Sequence, residues 1–320
     1  MEYKRTNQID IRLKQLSYSS RLLLDSCPRK YQLRKLGADI EYQDTQDELI
    51  TFEFGKLVGY GIQLAFQNIS RENIFLACFE FWSMELNIES SRHKKSFWYA
   101  LLAIDKFIGM RQQGFLTEYN ILYYNSQPAA ELSFLVDFGE EFAERGFLDL
   151  VLESNLTGEV ITVELKTDSA KVPIHEAKYQ NSTQPLGYSV LLDHIMPGLN
   201  SYTVLYIIYL SEKFEYQTFQ FTKSIKQKAE WIHSIVMDIE RIKLYSKANF
   251  WPKHGQSCIA WNKPCKYFNR CHMSDKLLLR PITKQQELDV IKDNEETYTI
   301  KTTVKELITG QLARPELKGN

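Results

Sequence analysis

The sequence lacks an apolar run long enough to cross a membrane. Its longest run, from Thr203 to Leu210, has the length of a strand, whereas a membrane-spanning helix needs about 20 apolar residues. The polar first residues also lack the apolar segment of a secretory signal peptide. We therefore expect a cytoplasmic protein with no membrane partner, whose five cysteines are thiols or metal ligands rather than disulfides.

The chain also lacks a net charge of one sign, because 39 lysines and arginines nearly balance 40 aspartates and glutamates, giving −1. This balance excludes a protein that binds polyanions over its whole surface. The charges are nevertheless segregated. Two segments are basic: residues 12–35 have seven basic and one acidic side chain, and residues 213–280 have thirteen basic and five acidic ones. Residues 129–176 are acidic, with eleven acidic and three basic side chains. We expect the two basic segments to hold phosphates.

Internal repeats, low-complexity tracts and a Walker phosphate-binding motif are absent as well. Without a Walker motif the chain has no helicase motor of its own. A function that needs a motor therefore requires a separate protein.

Apolar periodicity predicts an α/β fold with a mixed sheet. Residues 17–37 predict two helical segments divided at Pro28, and residues 53–118 predict two or three further helices. The later elements are three strands between residues 132 and 167, a helix around Glu176 to His194, two strands between residues 203 and 221, and a helix over Lys223 to Phe250. This order is typical of an α/β sandwich.

Two acids stand inside apolar strands. Asp149 lies near the middle of the second predicted strand, and Glu164 and Lys166 lie near the end of the third. Because strand side chains alternate, Glu164 and Lys166 share one face, to which an antiparallel neighbour can bring Asp149. Two carboxylates offer oxygen ligands for Mg²⁺ or Mn²⁺, and an ammonium can assist an attacking water, as phosphodiester hydrolysis requires. The alternative is that Glu164 and Lys166 are surface charges at an exposed strand edge. Against it, both acids interrupt apolar strands, where an uncompensated charge is costly.

Three further residues are candidates for this site. Gln184 and Tyr188 are four residues apart, so a helix places them on one side, from which they can bond a phosphate, a metal-bound water or the lysine. Alone, this pair is a weak signal, since a helical tyrosine more often packs in a half-buried position. Glu131 either extends the acidic cluster or sits at a strand end.

The cysteines form a second constellation. Cys258, Cys265 and Cys271 follow the last long helix closely, and Cys27 is the candidate for the fourth ligand that a tetrahedral or cubane site needs. Cys78 lies in an apolar helical stretch, which favours a buried thiol. A [4Fe–4S] cluster, a structural Zn²⁺ and unligated thiols remain open. The wide spacing favours the cluster, because structural zinc sites usually contain closely spaced cysteine pairs.

Taken in order, these motifs resemble the PD-(D/E)XK nuclease superfamily, specifically its iron–sulfur branch of RecB-type and AddB-type nuclease domains and CRISPR-associated exonucleases. The resemblance covers residues 17–273. It consists of the segment Ser19–Tyr31, Gly146 to Asp149, Glu164 to Lys166, Gln184 to Tyr188 and the cysteine triple. It implies a restriction-endonuclease-like α/β core over residues 129–250, with a mixed central sheet flanked by helices. The other implied domains are an N-terminal helical region (1–128), a cysteine segment (251–274) and an extension of unknown role (275–320).

The same resemblance implies a Mg²⁺- or Mn²⁺-dependent deoxyribonuclease. Asp149 and Glu164 would bind the metal together with the backbone carbonyl of Leu165, and Lys166 would assist the attacking water. The accessory residues would be Gln184 and Tyr188. The residues implied to hold a structural [4Fe–4S] cluster, or alternatively Zn²⁺, are Cys27, Cys258, Cys265 and Cys271.

Two positions depart from the family pattern. In this branch a metal-ligating histidine commonly stands four residues after the glycine of a Phe-Gly pair, but Phe54 and Gly55 are followed by Gly59. The six residues between Cys258 and Cys265 exceed the usual two, which leaves zinc and an altered cluster geometry open.

The leading hypothesis is a DNA exonuclease that acts on single strands or duplex ends, in DNA repair, recombination or the processing of CRISPR or phage DNA. It would act alone, as a homo-oligomeric ring, or beside a separate helicase, recombinase or CRISPR adaptation protein. The alternatives are a structure-specific or site-specific endonuclease of the same superfamily, and a catalytically silent DNA-binding or assembly protein. Asp149, Glu164 and Lys166 favour the enzyme, whereas Gly59 favours the silent protein.

Overall fold

The structure is a computed structural model that describes residues 9–37, 46–82, 94–260 and 263–312. The chain divides into two compact units. The terminal unit comprises the described parts of residues 1–42, 133–146 and 225–320. The central unit comprises those of residues 43–132 and 147–224. No helix within the described ranges is both long and apolar enough to span a membrane. Residues 313–320 of the C-terminal extension lie outside the described residues.

In the described residues, helices precede, follow and separate the strands. Their bounds are α1 (Ile11–Lys14), α2 (Tyr18–Ser26), α3 (Pro28–Leu36), α4 (Gln46–Phe66), α5 (Arg71–Phe81), α6 (Phe97–Gln112), α7 (Ala177–Gln180), α8 (Gln184–Ile195), α9 (Ile225–Ala248), α10 (Asp275–Leu278), α11 (Lys284–Glu296) and α12 (Val304–Leu312).

The strands lie mostly between residues 119 and 224. Their bounds are β1 (Gln15–Leu16), β2 (Tyr119–Ile121), β3 (Tyr123–Tyr124), β4 (Gln127–Pro128), β5 (Ala130–Gly139), β6 (Phe142–Ser154), β7 (Val160–Asp168), β8 (Ser201–Leu210), β9 (Glu215–Ser224), β10 (Ile259–Ala260), β11 (Lys263–Pro264) and β12 (Ile300–Thr303).

The strands of the central unit pair in both directions. β6 is antiparallel to β7, with Leu150 opposite Val163, β7 is parallel to β8, and β8 is antiparallel to β9. The α7 and α8 helices supply the connection that a parallel pair needs between β7 and β8. The predicted α/β fold with a mixed sheet is confirmed.

Helices cover both faces of this sheet because its strands are apolar on both sides. On one face Leu150, Val163 and Ile207 pack in a core with buried residues of α4, α5 and α6. On the other, Val204, Tyr206 and Ile208 pack against Tyr179 of α7. Such two-sided burial is expected of strands that read as continuous apolar runs. Polar residues on these strands are therefore exceptions that need partners.

The division between α2 and α3 follows from local sequence, as predicted. The Ser17 hydroxyl accepts a hydrogen bond from the Ser20 N–H, and the Ser20 hydroxyl accepts one from the Ser17 N–H, so α2 begins in a capping box. Pro28 occupies the first turn of α3, where its missing N–H costs nothing. Cys27, with an extended backbone, lies between the two helices.

The C-terminal extension, to which the sequence assigned no role, contributes a strand to the terminal unit. β12 pairs in parallel with β5, with Ile300 opposite Phe134 and Thr303 opposite Asp137. Tyr298, just before β12, is buried with Leu135. The extension therefore covers backbone hydrogen-bonding groups that β5 would otherwise leave open at a sheet edge.

Candidate functional site

The carboxylates predicted to bind metal lie on neighbouring strands of the central unit. The antiparallel register that sets Leu150 opposite Val163 brings Asp149 beside Glu164 when continued by one residue. The Asp149 carboxylate accepts a hydrogen bond from the backbone N–H of Leu165, with 2.7 Å between Oδ2 and N. The strand pairing therefore brings the two acids to the same face, as the alternation of side chains predicts.

Glu164 is surrounded by three donors. Its side chain is fully buried, and the Lys166 ammonium forms an ion pair with Oε1. Gln184 Nε2 donates to the same oxygen at 2.8 Å, and the Tyr188 hydroxyl donates to Oε2. Both donors come from the first turns of α8, where Pro185 stands near the N-terminus and the four-residue spacing aligns them. The structure thus brings all five predicted side chains together.

The titration of these groups reflects crowded negative charge. Burial and the nearby Glu164 carboxylate raise the pKa of Asp149 well above its ordinary value, although Lys166 and the Leu165 N–H oppose the shift. Burial lowers the pKa of Lys166, but the Glu164 carboxylate outweighs it and the net shift is upward. The Glu164 carboxylate therefore favours the charged form of Lys166 and disfavours the charged form of Asp149.

Helix α4 runs past the strand that carries Glu164. A Cβ at Gly55 would lie 3.3 Å from the Thr167 hydroxyl, and one at Gly59 would lie 3.8 Å from Leu165 Cδ1. Helix α4 is thus beside Leu165, the predicted ligand. At the position where the family pattern has a histidine, however, α4 has Gly59, which has no side chain that could bind a metal.

Two further residues lie beside this site: Glu131, which the sequence offered as a possible extension of the acidic cluster, and Gln63, which it did not assign. Gln63 of α4 donates from Nε2 to Glu131 Oε1 at 2.7 Å and to the backbone carbonyl of Asp149 at 3.1 Å. Burial raises the pKa of Glu131, the hydrogen bond from Gln63 lowers it and Glu164 raises it, for a net upward shift. Glu131 as a whole residue is exposed. Gln63 has no distinguishing signal in the sequence, because its contacts are made only in the folded protein.

The four cysteines predicted as ligands line one cavity in the terminal unit. The cavity has a volume of about 200 Å³ and is also lined by Lys30, Lys253, His254 and His272. Cys27 reaches it from the junction of α2 and α3, and its thiol lies 3.9 Å from the carbonyl of Pro252. The lining residues include the cysteines Cys27, Cys258, Cys265 and Cys271.

Backbone hydrogen bonds fix the turns that carry the three later cysteines. The Cys265 N–H donates to the Cys258 carbonyl and the Cys271 N–H donates to the Tyr267 carbonyl, both at 2.7 Å. Burial raises the pKa of the Cys271 thiol, Lys253 and Arg29 lower it, and Cys27 and Cys265 raise it, so the net shift is upward. In the part of the chain that the structure describes, no three His, Cys, Asp or Glu side chains already stand at metal-binding geometry.

Cys78 differs from the other four. It is buried in the core of α4, α5 and α6, and burial raises the pKa of its thiol to about 12. A thiol that stays protonated in an apolar core packs as a small hydrophobic residue, as its sequence context indicates.

The basic segment at residues 12–35 is partly used in folding. Arg21 pairs with Asp238 at 2.6 Å and Arg29 with Asp275 at 2.7 Å. Both arginines are buried. Each of these two guanidinium groups therefore already has a carboxylate partner inside the unit, and the expectation that the segment holds phosphates stays a prediction.

A family model described as PD-(D/E)XK nuclease superfamily matches residues 15–272. Two solved structures are similar at low identity. A protein of Eubacterium rectale named as a candidate exonuclease is 11% identical, with 90% of this chain and 98% of that chain covered and a TM-score of 0.43. A protein named SSO0001 is 12% identical, with 70% and 96% covered and a TM-score of 0.29. No curated protein is significantly similar to the chain.

Proposed function

We propose a catalytic role for the carboxylate site because this chain belongs to the PD-(D/E)XK nuclease superfamily. The proposed activity is divalent-metal-dependent hydrolysis of phosphodiester bonds in DNA, from the ends of single strands or duplexes. The observation that carries it is the convergence of Asp149, Glu164 and Lys166 with the two donors of α8. In the proposed pathway, DNA repair, recombination or the processing of CRISPR or phage DNA, a separate helicase or recombinase would supply the ends.

The donor set fits Mg²⁺ or Mn²⁺. Asp149 and Glu164 offer carboxylate oxygens and Leu165 a backbone carbonyl, which are the ligands that these hard cations prefer. The raised pKa of Asp149 beside Glu164 indicates a site that is short of positive charge. When bound, the cation would polarise the phosphodiester and lower the pKa of an attacking water.

The side chains around the carboxylates have distinct proposed roles. Lys166, held as an ammonium by Glu164, donates hydrogen bonds to the phosphate and stabilises the negative charge that grows on it. Gln184 and Tyr188 hold the Glu164 carboxylate from two sides and fix its orientation. A water oxygen bonds to phosphorus as the bond to the leaving oxygen breaks, which yields a phosphate monoester and a hydroxyl.

We further propose that the cysteine cavity holds a [4Fe–4S] cluster. A single Zn²⁺ with Zn–S bonds of about 2.3 Å draws four sulfurs tightly around one ion, whereas the four cysteines here line, together with other residues, a cavity of about 200 Å³. Lys30 and Lys253 line the same cavity and supply positive charge opposite thiolates, which favours the ligated form. The proposed role of the cluster is structural.

The nuclease proposal is tested by digestion of DNA labelled at its ends. We expect the protein to degrade linear single or double strands with Mn²⁺ or Mg²⁺ and to leave them intact with EDTA. Asp149→Asn and Lys166→Met should each lower the rate at least about 100-fold, because each removes charge from the reacting centre.

Glu153→Gln is the matched control, since Glu153 is an exposed acid on the same strand as Asp149. Undiminished digestion by Asp149→Asn would contradict the assignment of the site. Cleavage of closed circular DNA would instead favour the endonuclease alternative.

A further inference from the structure

The first turns of helix α4 extend past the end of strand β7. Gly59 lies beside Leu165 of β7, and Gly55, one turn earlier in the helix, lies beside Thr167. The helix and the strand therefore run in opposite directions. Because β7 ends at Asp168, the residues of α4 before Gly55 lie beyond the end of the strand.

An exposed aromatic side chain, Phe52, lies on this part of the helix. It precedes Gly59 by two helical turns less about 20°, so the two positions lie on the same side of α4, about 10 Å apart along its axis. Phe52 is 62% exposed, and Leu49, one turn earlier, is 40% exposed. The side of the helix that borders Leu165 therefore continues into an exposed apolar surface.

A basic group accompanies the Phe52 ring. The Lys56 ammonium lies 4.3 Å from the centroid of that ring and 2.8 Å from a carboxylate oxygen of Glu53. The Lys56 side chain is 45% exposed, and an ion pair at the surface contributes little stability. The ammonium can therefore turn from Glu53 to a phosphate at little cost.

An aromatic ring beside a cation is suited to a single strand of nucleic acid. Unpaired bases stack on exposed rings, while phosphates pair with neighbouring cations. Inside a duplex, both faces of each base are already covered by the adjacent base pairs. The surface formed by Phe52 and Lys56 therefore matches the chemistry of single-stranded DNA.

The spacing also fits a strand that passes from this surface to the metal centre. Stacked bases of one strand are about 3.4 Å apart, so the distance of about 10 Å from Phe52 to Gly59 corresponds to about three nucleotides. A base on the Phe52 ring would thus belong to the same short stretch of strand as the phosphate that reacts beside Leu165.

We propose that Phe52 and Lys56 form a binding site for single-stranded DNA on the path to the metal centre. A base stacks on the Phe52 ring, and the Lys56 ammonium pairs with a neighbouring phosphate. This inference rests on the proposed function, because it selects the single strand as the substrate of the same site. Stacking of this kind is independent of sequence, since every base has an aromatic face.

The test compares the binding of two labelled strands, oligothymidine and a strand of the same length whose sugars carry no bases. Fluorescence anisotropy follows the binding of each strand to the anaerobically purified protein in EDTA, so that neither is cleaved. Phe52→Ala should weaken binding of oligothymidine at least about fivefold, the lower end of the usual effect of removing a stacked aromatic side chain. It should leave binding of the base-free strand unchanged. Phe52→Trp should bind oligothymidine at least as tightly as the parent does.

Two further variants complete the comparison. Lys56→Gln should weaken the binding of both strands by a similar factor, because it removes a contact to the phosphates that the two strands share. Phe79→Ala is the matched control, since Phe79 is a 52% exposed phenylalanine on α5 of the same unit. It should bind both strands as the parent does.

The inference is overturned if Phe52→Ala binds oligothymidine within about twofold of the parent, if it loses affinity for both strands equally, or if Phe79→Ala loses as much. These results do not depend on cleavage, so they are separable from the nuclease proposal. Digestion of DNA by Asp149→Asn at the parental rate would contradict the proposed metal centre, and base-dependent binding at Phe52 would still be measured.

Discussion

Among single residues, Glu164 is a carboxylate in the interior of the fold. Its carboxylate is removed from solvent, and an uncompensated buried charge costs several kcal/mol. Lys166, Gln184 and Tyr188 offset that cost by one ion pair and two hydrogen bonds. These three side chains therefore stabilise the fold as well as the geometry proposed for catalysis.

Tyr188→Phe should accordingly destabilise the protein by about 1.5–3 kcal/mol, the usual range for a lost hydrogen bond to a buried charged group. Chemical denaturation followed by circular dichroism measures the change. Tyr119→Phe is the matched control, because the Tyr119 hydroxyl bonds the exposed Glu159 at 3.1 Å and its loss should cost less than about 0.5 kcal/mol. Equal losses in the two variants would contradict the argument from burial.

The sequence predicted five of the side chains that the structure brings together, because their patterns are local. An acid inside an apolar strand, as at Asp149 and Glu164, and a four-residue spacing on a helix can be recognised without a structure. Gln63 could not be found in this way, since glutamine is common on helices and its partner Glu131 is 68 residues away. Only tertiary packing brings these two side chains together.

Among the elements, α4 depends on two glycines with opposite surroundings. A Cβ at Gly59 would meet its nearest neighbour, Leu165 Cδ1, at an ordinary 3.8 Å, whereas one at Gly61 would lie 2.6 Å from Ile104 Cγ1 on α6. Gly61 thus permits a close approach of two helices. At Gly59 there is space beside β7 for a side chain, so no close contact requires a glycine there. A glycine inside a helix lowers the stability of the helix.

Gly59→Ala should therefore stabilise the protein by about 0.5–1 kcal/mol, since alanine is the better helix former and the site has room for its methyl group. Gly61→Ala, on the same helix, should be destabilising because the methyl group would overlap Ile104. Thermal melting measures both changes: the melting temperature should rise in Gly59→Ala and fall in Gly61→Ala. A destabilised Gly59→Ala would show that α4 and β7 are closer than the structure has them.

The long helices and strands between α2 and α9 were mostly predictable from the spacing of apolar residues, whereas β12 was not. The order from α2 to α9 follows apolar spacing and cap residues, as at Ser17 and Pro28. β12 has only four residues, and its partners in β5 precede it by 166 positions. A strand so short has no periodic signal of its own, so its parallel pairing could not be derived from the sequence.

In the whole molecule, the terminal unit is assembled from three separate stretches of chain. Its N-terminal helices are joined to later segments by the Arg29 N–H bond to the Pro252 carbonyl, the Arg280 N–H bond to the Leu36 carbonyl and the Arg21–Asp238 ion pair. The proposed cluster adds a covalent link between the same stretches. Because this link joins Cys27 to the cysteines near residue 260, it would restrict a long loop of the unfolded chain. We expect it to lower the entropy of the unfolded state and so to stabilise the fold.

Cys27→Ser should abolish the visible absorption of the proposed cluster and lower the iron content from about four atoms per chain to below about one. It should also lower the melting temperature by on the order of 5 °C or more. Cys78→Ala is the control, because Cys78 is buried in the other unit's core and should leave iron and colour unchanged. A colourless parent that contains zinc would contradict the cluster while leaving the nuclease proposal intact.

The three-part terminal unit also imposes an order on biosynthesis. The central unit is complete once residue 224 has been made, but Cys27 must wait for Cys258, Cys265 and Cys271. At about 5–20 residues per second, the ribosome needs on the order of 10–50 seconds to add the intervening chain. Throughout that interval α3 lacks Trp251 and Tyr267, which pack against Tyr31 and Leu33, so these apolar side chains stay without part of their core until the last segment is made.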